Sequence, residues 1–141
     1  MVKVFLDSSV WVAVAFSPNG GSSEVIRRLV AGKITVIATK QVIAEAVRNL
    51  QAKGSPEAVE KFFELYSQVR PTITEVTIPQ IEKATTVINH KDASILAGAK
   101  LSDCRYLVTL DRRHFFTDEV IEFARPTVIV LPKDLLEKIA A

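Results

Sequence analysis

The stretch DASILAGAKLSDCRYLVTLD, residues 92–111, joins a predicted helix to a predicted strand with almost no loop between them. Apolar side chains lie on nearly every side of the helix from Asp92 to Leu101, so we expect this helix to be buried. The strand from Cys104 to Leu110 follows at once and is rich in residues that favour strands. A buried helix that leads directly into a buried strand is typical of a parallel sheet covered by helices. The stretch therefore predicts an α/β fold.

The rest of the chain continues this alternation of helices and strands. Strands are predicted at residues 2–6, 34–38 and 127–131, and residues 72–77 form either a short strand or an extended connection. Glycine, proline and N-capping residues mark the ends of the helices, with Ser22 or Ser23 capping the second helix and Thr39 the third. The predicted helices cover residues 8–15, 22–31, 40–53, 56–69, 79–88 and 132–140, and those at 40–53 and 56–69 should form a hairpin.

Length and composition indicate one ordered globular domain. The chain has 141 residues, of which 48% are hydrophobic and 24% charged. This length suits one continuous core, so we expect a single domain over residues 1–141. The 18 basic and 16 acidic residues leave a formal net charge of +2, which is too small to attract polyanions in general. Any contact with nucleic acid must therefore be local.

The cysteine content points to a reducing compartment. Cys104 is the one cysteine, so it cannot form an internal disulfide, and its place before an apolar strand predicts a buried thiol. The cytoplasm is the simplest location for such a chain. The polar residues 7–9 interrupt the apolar N-terminal stretches, which secretion signals avoid. No apolar run approaches the roughly 18 residues that a membrane span requires.

Four acidic residues are expected to meet at one edge of the sheet. Asp7 directly follows the first strand, and Asp111 follows the strand at 104–110. Glu45 lies early in the helix after the second strand, and Asp92 opens the helix that leads toward Asp111. Ligands of open parallel sheets bind in the crevice beyond the carboxyl ends of the strands. The sequence therefore predicts a site formed by these acids.

Each acid, taken alone, also has a purely structural interpretation. Asp7, Asp92 and Asp111 stand where a helix or turn begins, and aspartate at such positions often caps the backbone. Glu45 lies off the centre of its helix's apolar stripe, where a solvated charge is common. Together, however, four carboxylates repel one another, and no lysine or arginine is placed to neutralise all of them. The set therefore favours a bound cation.

The cation is predicted to be Mg²⁺ or Mn²⁺. The four acids supply only oxygen ligands, and His90 and His114 do not form a zinc-like pattern, so both histidines are interpreted as surface or edge residues and not as metal ligands. Such a site activates water and stabilises an in-line displacement at phosphorus. Other phosphate chemistries lack their motifs. The chain has no G-x-x-x-x-G-K-[ST] loop, and Ser9 stands where a D-x-D phosphatase needs a second acid.

Four sequence features, in this order, resemble the PIN-domain family. They are VFLDSSV at 4–10, Glu45, DASILA at 92–97 and LVTLDRRHF at 107–115. The chain is similar to the VapC-like toxin ribonucleases of toxin–antitoxin pairs over residues 4 to about 116. The resemblance implies a three-layer α/β/α sandwich with a central, mainly parallel sheet and Mg²⁺- or Mn²⁺-dependent endonuclease activity on RNA. It also implies a homodimer and inhibition by a small antitoxin protein.

The resemblance further assigns roles to individual residues. It implies that Asp7, Asp92 and Asp111 bind the metal, and that Glu45 completes the cluster or orients the attacking water. Polar residues nearby would support the cluster, namely Ser8 or Ser9, and Thr109.

Basic residues beside the acids have two interpretations. Arg112, Arg113 and Lys91 could hold the phosphates that flank the scissile bond, or they could form a solvated charged turn.

Two other functions remain compatible with the sequence. One is an RNA-processing nuclease that has no antitoxin, and the other is a non-catalytic PIN-like module that binds RNA or protein. The presence of all four acids argues against the module. Phe62, Phe63 and Tyr66 have the spacing of an amphipathic helix and are predicted to pack in the core, with a dimer or antitoxin surface as the alternative.

Overall fold

A parallel sheet of five strands forms the centre of the protein. The computed structural model describes residues 2–17, 20–32 and 34–140. The strands within these ranges are β1 Lys3–Leu6, β2 Thr35–Ala38, β3 Thr72–Ile73, β4 Tyr106–Val108 and β5 Val128–Val130. Their order across the sheet is β3-β2-β1-β4-β5, and every neighbouring pair is parallel. The predicted strands are confirmed, and the stretch at 72–77 supplies a strand of two residues.

Helices cover both faces of this sheet and give the predicted three-layer α/β/α sandwich. The helices in the described ranges are α1 Ser8–Phe16, α2 Gly21–Ala31, α3 Lys40–Lys53, α4 Pro56–Val69, α5 Ile78–Ala84, α6 His90–Leu101, α7 Arg112–Phe115, α8 Asp118–Ala124 and α9 Pro132–Ala140. The helix predicted at 79–88 ends at Ala84, and α7 and α8 were not predicted. None of the helices described has the length and apolar character needed to cross a membrane.

The predicted helix caps are correct for α3 and wrong for α2. Thr39 accepts the backbone N–H of Val42 at 3.2 Å, as expected of an N-cap. Helix α2 instead begins after Gly20, which has no side chain to donate or accept a bond. Ser23 has a different contact, because its hydroxyl donates to the carbonyl of Ser17 at 2.7 Å. Ser23 therefore stabilises the turn before α2 and does not cap the helix.

The α3–α4 hairpin packs against α1 through aromatic side chains. Phe62 is fully buried, and its ring meets Trp11 edge-on at a centroid distance of 5.8 Å. Tyr66 is partly buried beside the same two rings. Phe63 lies at the outer side of this cluster, where its ring meets that of Phe62 edge-on at 5.3 Å, and 53% of its surface is exposed. Core packing is therefore confirmed for Phe62 and Tyr66, and the prediction is wrong for Phe63.

Helix α6 approaches the sheet closely at Gly98. A Cβ atom at this position would lie 3.0 Å from Cγ2 of Thr39 and 3.1 Å from the ring of Phe5. Phe5 and Thr39 are themselves fully buried. The absence of a side chain thus lets the α6 backbone come near the ends of β1 and β2, and with it the N-terminal turn that carries Asp92.

Candidate active site

The strand order places the crevice between β1 and β4. From β1 the chain adds β2 and β3 on one side, whereas β4 and β5 lie on the other, so the order reverses at this point. Parallel sheets bind ligands at such a switch point. Leu6 pairs with Val108 in the register, and the N–H of Asp7 donates to the carbonyl of Val108 at 3.0 Å. Asp7 and Thr109 therefore leave their strands side by side.

Asp7 is a buried carboxylate that accepts four hydrogen bonds, three of them no longer than 3.0 Å. Its Oδ1 accepts the N–H of Ser8 at 2.7 Å, which makes Asp7 the N-cap of α1. Its Oδ2 accepts the hydroxyls of Ser9 at 3.0 Å and Thr109 at 2.8 Å. The hydroxyl of Ser8 is more distant, at 3.4 Å from Oδ1. Of the two serine hydroxyls, that of Ser9 therefore makes the closer contact with Asp7.

Burial opposes the negative charge of Asp7. Only 4% of the surface of Asp7 is exposed, and this desolvation raises the pKa of its carboxyl. The nearby charge of Asp92 raises the pKa further. The hydrogen bonds from Thr109, Ser9 and Ser8 act in the opposite direction. A cation in the crevice would compensate for the lost hydration.

Asp111 combines a structural contact with a position in the crevice. Its N–H donates to the Thr109 hydroxyl at 3.0 Å, and its Oδ1 accepts the N–H of His114 at 3.1 Å as the N-cap of α7. Oδ2 lies 2.8 Å from Nδ1 of the same histidine. Asp111 therefore caps α7, and its side chain also lines the crevice.

Asp92 lies in the first turn of α6 and not at its N-cap. The cap is Asn89, whose Oδ1 accepts the N–H of Asp92 at 3.0 Å and whose Nδ2 donates to Oδ2 of Asp92 at 2.7 Å. The helix begins at His90, two residues before the predicted start. Only 13% of the Asp92 side chain is exposed. The cap interpretation of Asp92 is therefore wrong, and its carboxylate faces the crevice while it is oriented by Asn89.

Glu45 forms an ion pair with Lys91. The two side chains approach to 3.5 Å between Nζ and Oε1, and the Glu45 side chain is 21% exposed whereas that of Lys91 is 78% exposed. Among residues 2–17, 20–32 and 34–140, no lysine or arginine pairs with Asp7, Asp92 or Asp111. One acid of the four is thus neutralised by a neighbouring base.

His114, which the sequence predicts to be a surface or edge residue and not a metal ligand, lies beside the acids. Its side chain is 45% exposed, yet Nδ1 lies 2.8 Å from Oδ2 of Asp111 and 4.0 Å from Oδ2 of Asp92. The potential ligand atoms of Asp92, Asp111 and His114 all lie within 4.8 Å of one another. The spacing of three residues between Asp111 and His114 could have indicated this contact. Such a spacing brings side chains together only on a helix, and α7 was not predicted.

One cavity of about 500 Å³ brings the four predicted acids together. Thr109 is fully buried and does not line this cavity. Arg112 and Arg113 are exposed on α7 and do not line it. The lining residues are Asp7, Ser8, Ser9, Val12, Glu45, Asn49, Lys53, Asn89, Lys91, Asp92, Asp111 and His114.

Solved structures of similar fold include bacterial proteins of the Vap and Fit systems. VapBC2 from Rickettsia felis is 13% identical with a TM-score of 0.68, and the match covers 92% of this chain and 98% of that chain. FitAcB from Neisseria gonorrhoeae is 16% identical with a TM-score of 0.60, over 92% and 98% of the two chains. VapC20 from Mycobacterium tuberculosis, a toxin that cleaves the sarcin-ricin loop, is 21% identical with a TM-score of 0.58, over 78% and 91%. At these identities the likeness establishes the fold.

Sequence comparison identifies the family. No curated protein matches the sequence significantly. The family model of the PIN domain matches residues 3–113, a range that begins in β1 and ends in α7 and so includes all four acids of the cavity. The chain therefore belongs to the PIN domain family.

Proposed function

We propose that this protein is a metal-dependent endoribonuclease that hydrolyses RNA phosphodiester bonds. The observation that carries the proposal is the convergence of Asp7, Glu45, Asp92 and Asp111 on one open cavity at the strand-order switch point. Three of these acids have no lysine or arginine partner in the described ranges. Such a concentration of negative charge is costly unless a cation shares the site.

The donor groups in the cavity fit Mg²⁺ or Mn²⁺. Carboxylate oxygens are the ligands that both ions prefer, and Asp92, Asp111 and His114 place three donor atoms within 4.8 Å of one another. Asp7 lines the same cavity as these three residues. We assign Asp7, Asp92 and Asp111 as metal ligands, with Glu45 at the edge of the cluster. When bound, such an ion polarises a phosphate oxygen and lowers the pKa of a coordinated water.

The protein side chains would orient the reactants. Glu45, whose Oε1 is paired with Lys91, can accept a hydrogen bond from the attacking water and so orient it toward phosphorus. Ser9 and Thr109 fix the direction of the Asp7 carboxylate, and Asn89 fixes that of Asp92. These contacts set the ligand positions before substrate binds, which is the usual contribution of a protein to metal-assisted hydrolysis.

We further propose that the nuclease is the toxin of a toxin–antitoxin pair and acts in the cytoplasm as a single PIN domain and a homodimer. VapC20 is described as a toxin that cleaves the sarcin-ricin loop, and VapBC2 and FitAB were solved bound to DNA fragments. Those structures support a small DNA-binding antitoxin as the partner here. Growth arrest on expression, relieved by the product of a small adjacent reading frame, would test this assignment. Cleavage without such relief would favour an RNA-processing nuclease.

The experiment that tests the enzymatic proposal is cleavage of mixed-sequence, single-stranded RNA with Mn²⁺, Mg²⁺ or EDTA. Asp92→Asn keeps the shape of the side chain and an oxygen for Asn89 but removes the charge. Asp118→Asn is the matched control, since Asp118 is exposed in the first turn of α8. We expect metal-dependent cleavage that falls by about 100-fold or more in Asp92→Asn and stays unchanged in the control.

The opposite results would favour another function. A folded, metal-loaded wild type that cleaves no RNA would favour the non-catalytic binding module. Equal cleavage by wild type and Asp92→Asn would indicate a contaminating nuclease.

A further inference from the structure

A second groove adjoins the acidic cavity between α3 and α6. It has a volume of about 300 Å³. Its walls include Glu45, Asn49 and Lys91, which also line the acidic cavity, so the two depressions are neighbours. We call it the α3–α6 groove, and its lining residues are Gln41, Glu45, Arg48, Asn49, Lys91, Ser94 and Ile95.

The groove differs from the cavity in charge. The cavity carries four carboxylates against Lys53 and Lys91, whereas the groove carries Arg48 and Lys91 against Glu45 alone. Glu45 is already paired with Lys91 at 3.5 Å. Arg48 is exposed, and within the described ranges it forms no ion pair. A guanidinium group is therefore available for an anion next to the acidic cavity.

One face of α3 connects the two depressions. Gln41, Glu45 and Asn49 are each four residues apart, and Lys53 continues the same spacing into the acidic cavity. At 1.5 Å per residue this face extends over about 18 Å. A linear polymer lying along it would pass the acids and reach the position of Arg48.

We propose that the α3–α6 groove holds the phosphate backbone of single-stranded RNA next to the bond that is cut, with Arg48 and Lys91 contacting phosphates. The inference rests on the proposed endoribonuclease function. The acids of the cavity repel a polyanion, and the net charge of +2 supplies no general attraction, so cations beside the cavity have to offset that repulsion. Arg48 suits this role because its planar guanidinium can bind a phosphate through two parallel hydrogen bonds.

The lining also indicates what the groove recognises. None of its seven described lining residues is aromatic, so it offers no platform on which bases stack. Gln41, Asn49 and Ser94 can form hydrogen bonds with phosphate or ribose oxygens. The groove is therefore a backbone site that tolerates different base sequences. Arg112 and Arg113, which the sequence also offers as phosphate contacts, line neither the groove nor the cavity.

The test measures binding of short, fluorescently labelled oligo(U) and oligo(A) RNA by anisotropy, in EDTA, over a series of salt concentrations. Arg48→Gln should raise Kd about tenfold for both oligonucleotides and reduce the slope of log K against log salt by about 0.7, the contribution of one phosphate contact to a single strand. Arg48→Lys keeps the charge and should keep the slope. Arg105→Gln is the control, because Arg105 is exposed at the opposite edge of the sheet, before β4. Arg113→Gln tests whether a basic residue of α7 contacts the RNA phosphates instead.

A parallel cleavage assay with Mn²⁺ separates this inference from the proposed function. If wild type cleaves RNA, Arg48→Gln should raise KM about tenfold with little change in kcat. If wild type does not cleave RNA but its RNA binding depends on Arg48, the nuclease proposal fails and the proposed RNA-binding role of the groove is supported. The proposed role of the groove is contradicted if Arg48→Gln binds RNA as tightly as Arg105→Gln, if the binding of only one oligonucleotide is weakened, or if wild type binds no RNA at low salt.

Discussion

Asp7 and Thr109 are joined by a hydrogen bond of 2.8 Å, in which the threonine hydroxyl donates to Oδ2 of the carboxylate. The same hydroxyl accepts the N–H of Asp111 at 3.0 Å. One buried oxygen atom therefore positions two of the four acids, which lie at the ends of adjacent strands. The register of Leu6 with Val108 makes this contact possible, because it brings the residues that follow each strand to the same level.

Replacing Thr109 by valine should weaken both the fold and the site. Valine has the same shape, so the change leaves no cavity, but it removes the donor to Asp7 and leaves the N–H of Asp111 without its acceptor. A polar group that is left unsatisfied costs about 1–3 kcal/mol, so we expect the free energy of unfolding in urea to fall by about 2 kcal/mol. The Mn²⁺ affinity measured by calorimetry should fall as well.

Thr109→Ser is the control for this change, because it keeps the hydroxyl and removes only a methyl group. It should retain most of the Mn²⁺ affinity. Equal loss of affinity in the serine and valine variants would show that packing, and not the hydroxyl, positions the acids.

The two serines after Asp7 should differ in importance. Ser9 donates to Asp7 at 3.0 Å and accepts the N–H of Leu110 at 3.1 Å, whereas the Ser8 hydroxyl is 3.4 Å from Asp7. We expect Ser9→Ala to lower stability by about 1 kcal/mol and to reduce metal affinity, and Ser8→Ala to have a smaller effect on both. Urea unfolding and calorimetry of the two alanine variants make the comparison, and a larger effect of Ser8→Ala would contradict the geometry.

The elements and the acids were predictable because local rules fix them. A strand followed by an acid places that acid at the carboxyl edge, whatever the detailed packing, and this rule found Asp7 and Asp111. Apolar periodicity found the long helices α3 and α4. The short helix α7 has four residues, too few to show any period, so the contact between His114 and Asp111 was not visible in the sequence.

Other contacts depend on how elements pack against one another. The ion pair between Glu45 and Lys91 joins α3 to α6, and no spacing along the chain reveals the rotation of one helix against another. The cap of α6 was missed for a local reason. Asn89 was overlooked because Asp92, three residues later, is also a good capping residue, and the two side chains in fact bond to each other.

Filling the space at Gly98 should destabilise the protein. Alanine favours a helix by about 1 kcal/mol over glycine, but its methyl group would lie 3.0 Å from Cγ2 of Thr39 and 3.1 Å from the ring of Phe5. Overpacking of this kind costs about 1–3 kcal/mol, so we expect a net loss of about 1 kcal/mol for Gly98→Ala in urea unfolding. Thr39→Ser removes the closest methyl group and keeps the hydroxyl that caps α3. The loss should be smaller in that background, and an unchanged loss would assign it to another cause.

The imidazole of His114 should support metal binding by orienting Asp111. Both carboxylate oxygens of Asp111 meet His114, one through the backbone N–H at 3.1 Å and the other through Nδ1 at 2.8 Å. We expect His114→Ala to weaken Mn²⁺ binding about tenfold in calorimetry. His114→Asn can place an amide donor near the position of Nδ1 and should restore most of the affinity.

The remaining histidine provides the control for this experiment. His90 is exposed in the first turn of α6, so His90→Ala should leave Mn²⁺ binding unchanged. If the asparagine variant at position 114 binds as weakly as the alanine variant, the imidazole acts as a ligand itself and not through Asp111.

The thiol of Cys104 should make the protein less stable at alkaline pH. Burial raises the pKa of this group from 9.0 to about 12 in the folded protein, with Asp103 adding to the effect and Lys3 opposing it. Cys104 as a whole has 2% of its surface exposed. The raised pKa means that the folded state keeps the proton while the unfolded state loses it above pH 9.0, so stability is full below that pH and falls as the pH rises toward 12.

The size of this effect follows from the ionisation of the unfolded chain. One pH unit above the unfolded pKa, the loss is about 1.4 kcal/mol. Urea unfolding of wild type and Cys104→Ala at neutral pH and at about pH 10 measures it, since tyrosine and lysine titrate in both proteins and cancel in the comparison. Cys104→Ala should be less stable at neutral pH because of the lost sulfur, yet lose about 1.4 kcal/mol less than wild type on going to the higher pH. Parallel losses in the two proteins would mean that the folded chain ionises this thiol as readily as the unfolded one.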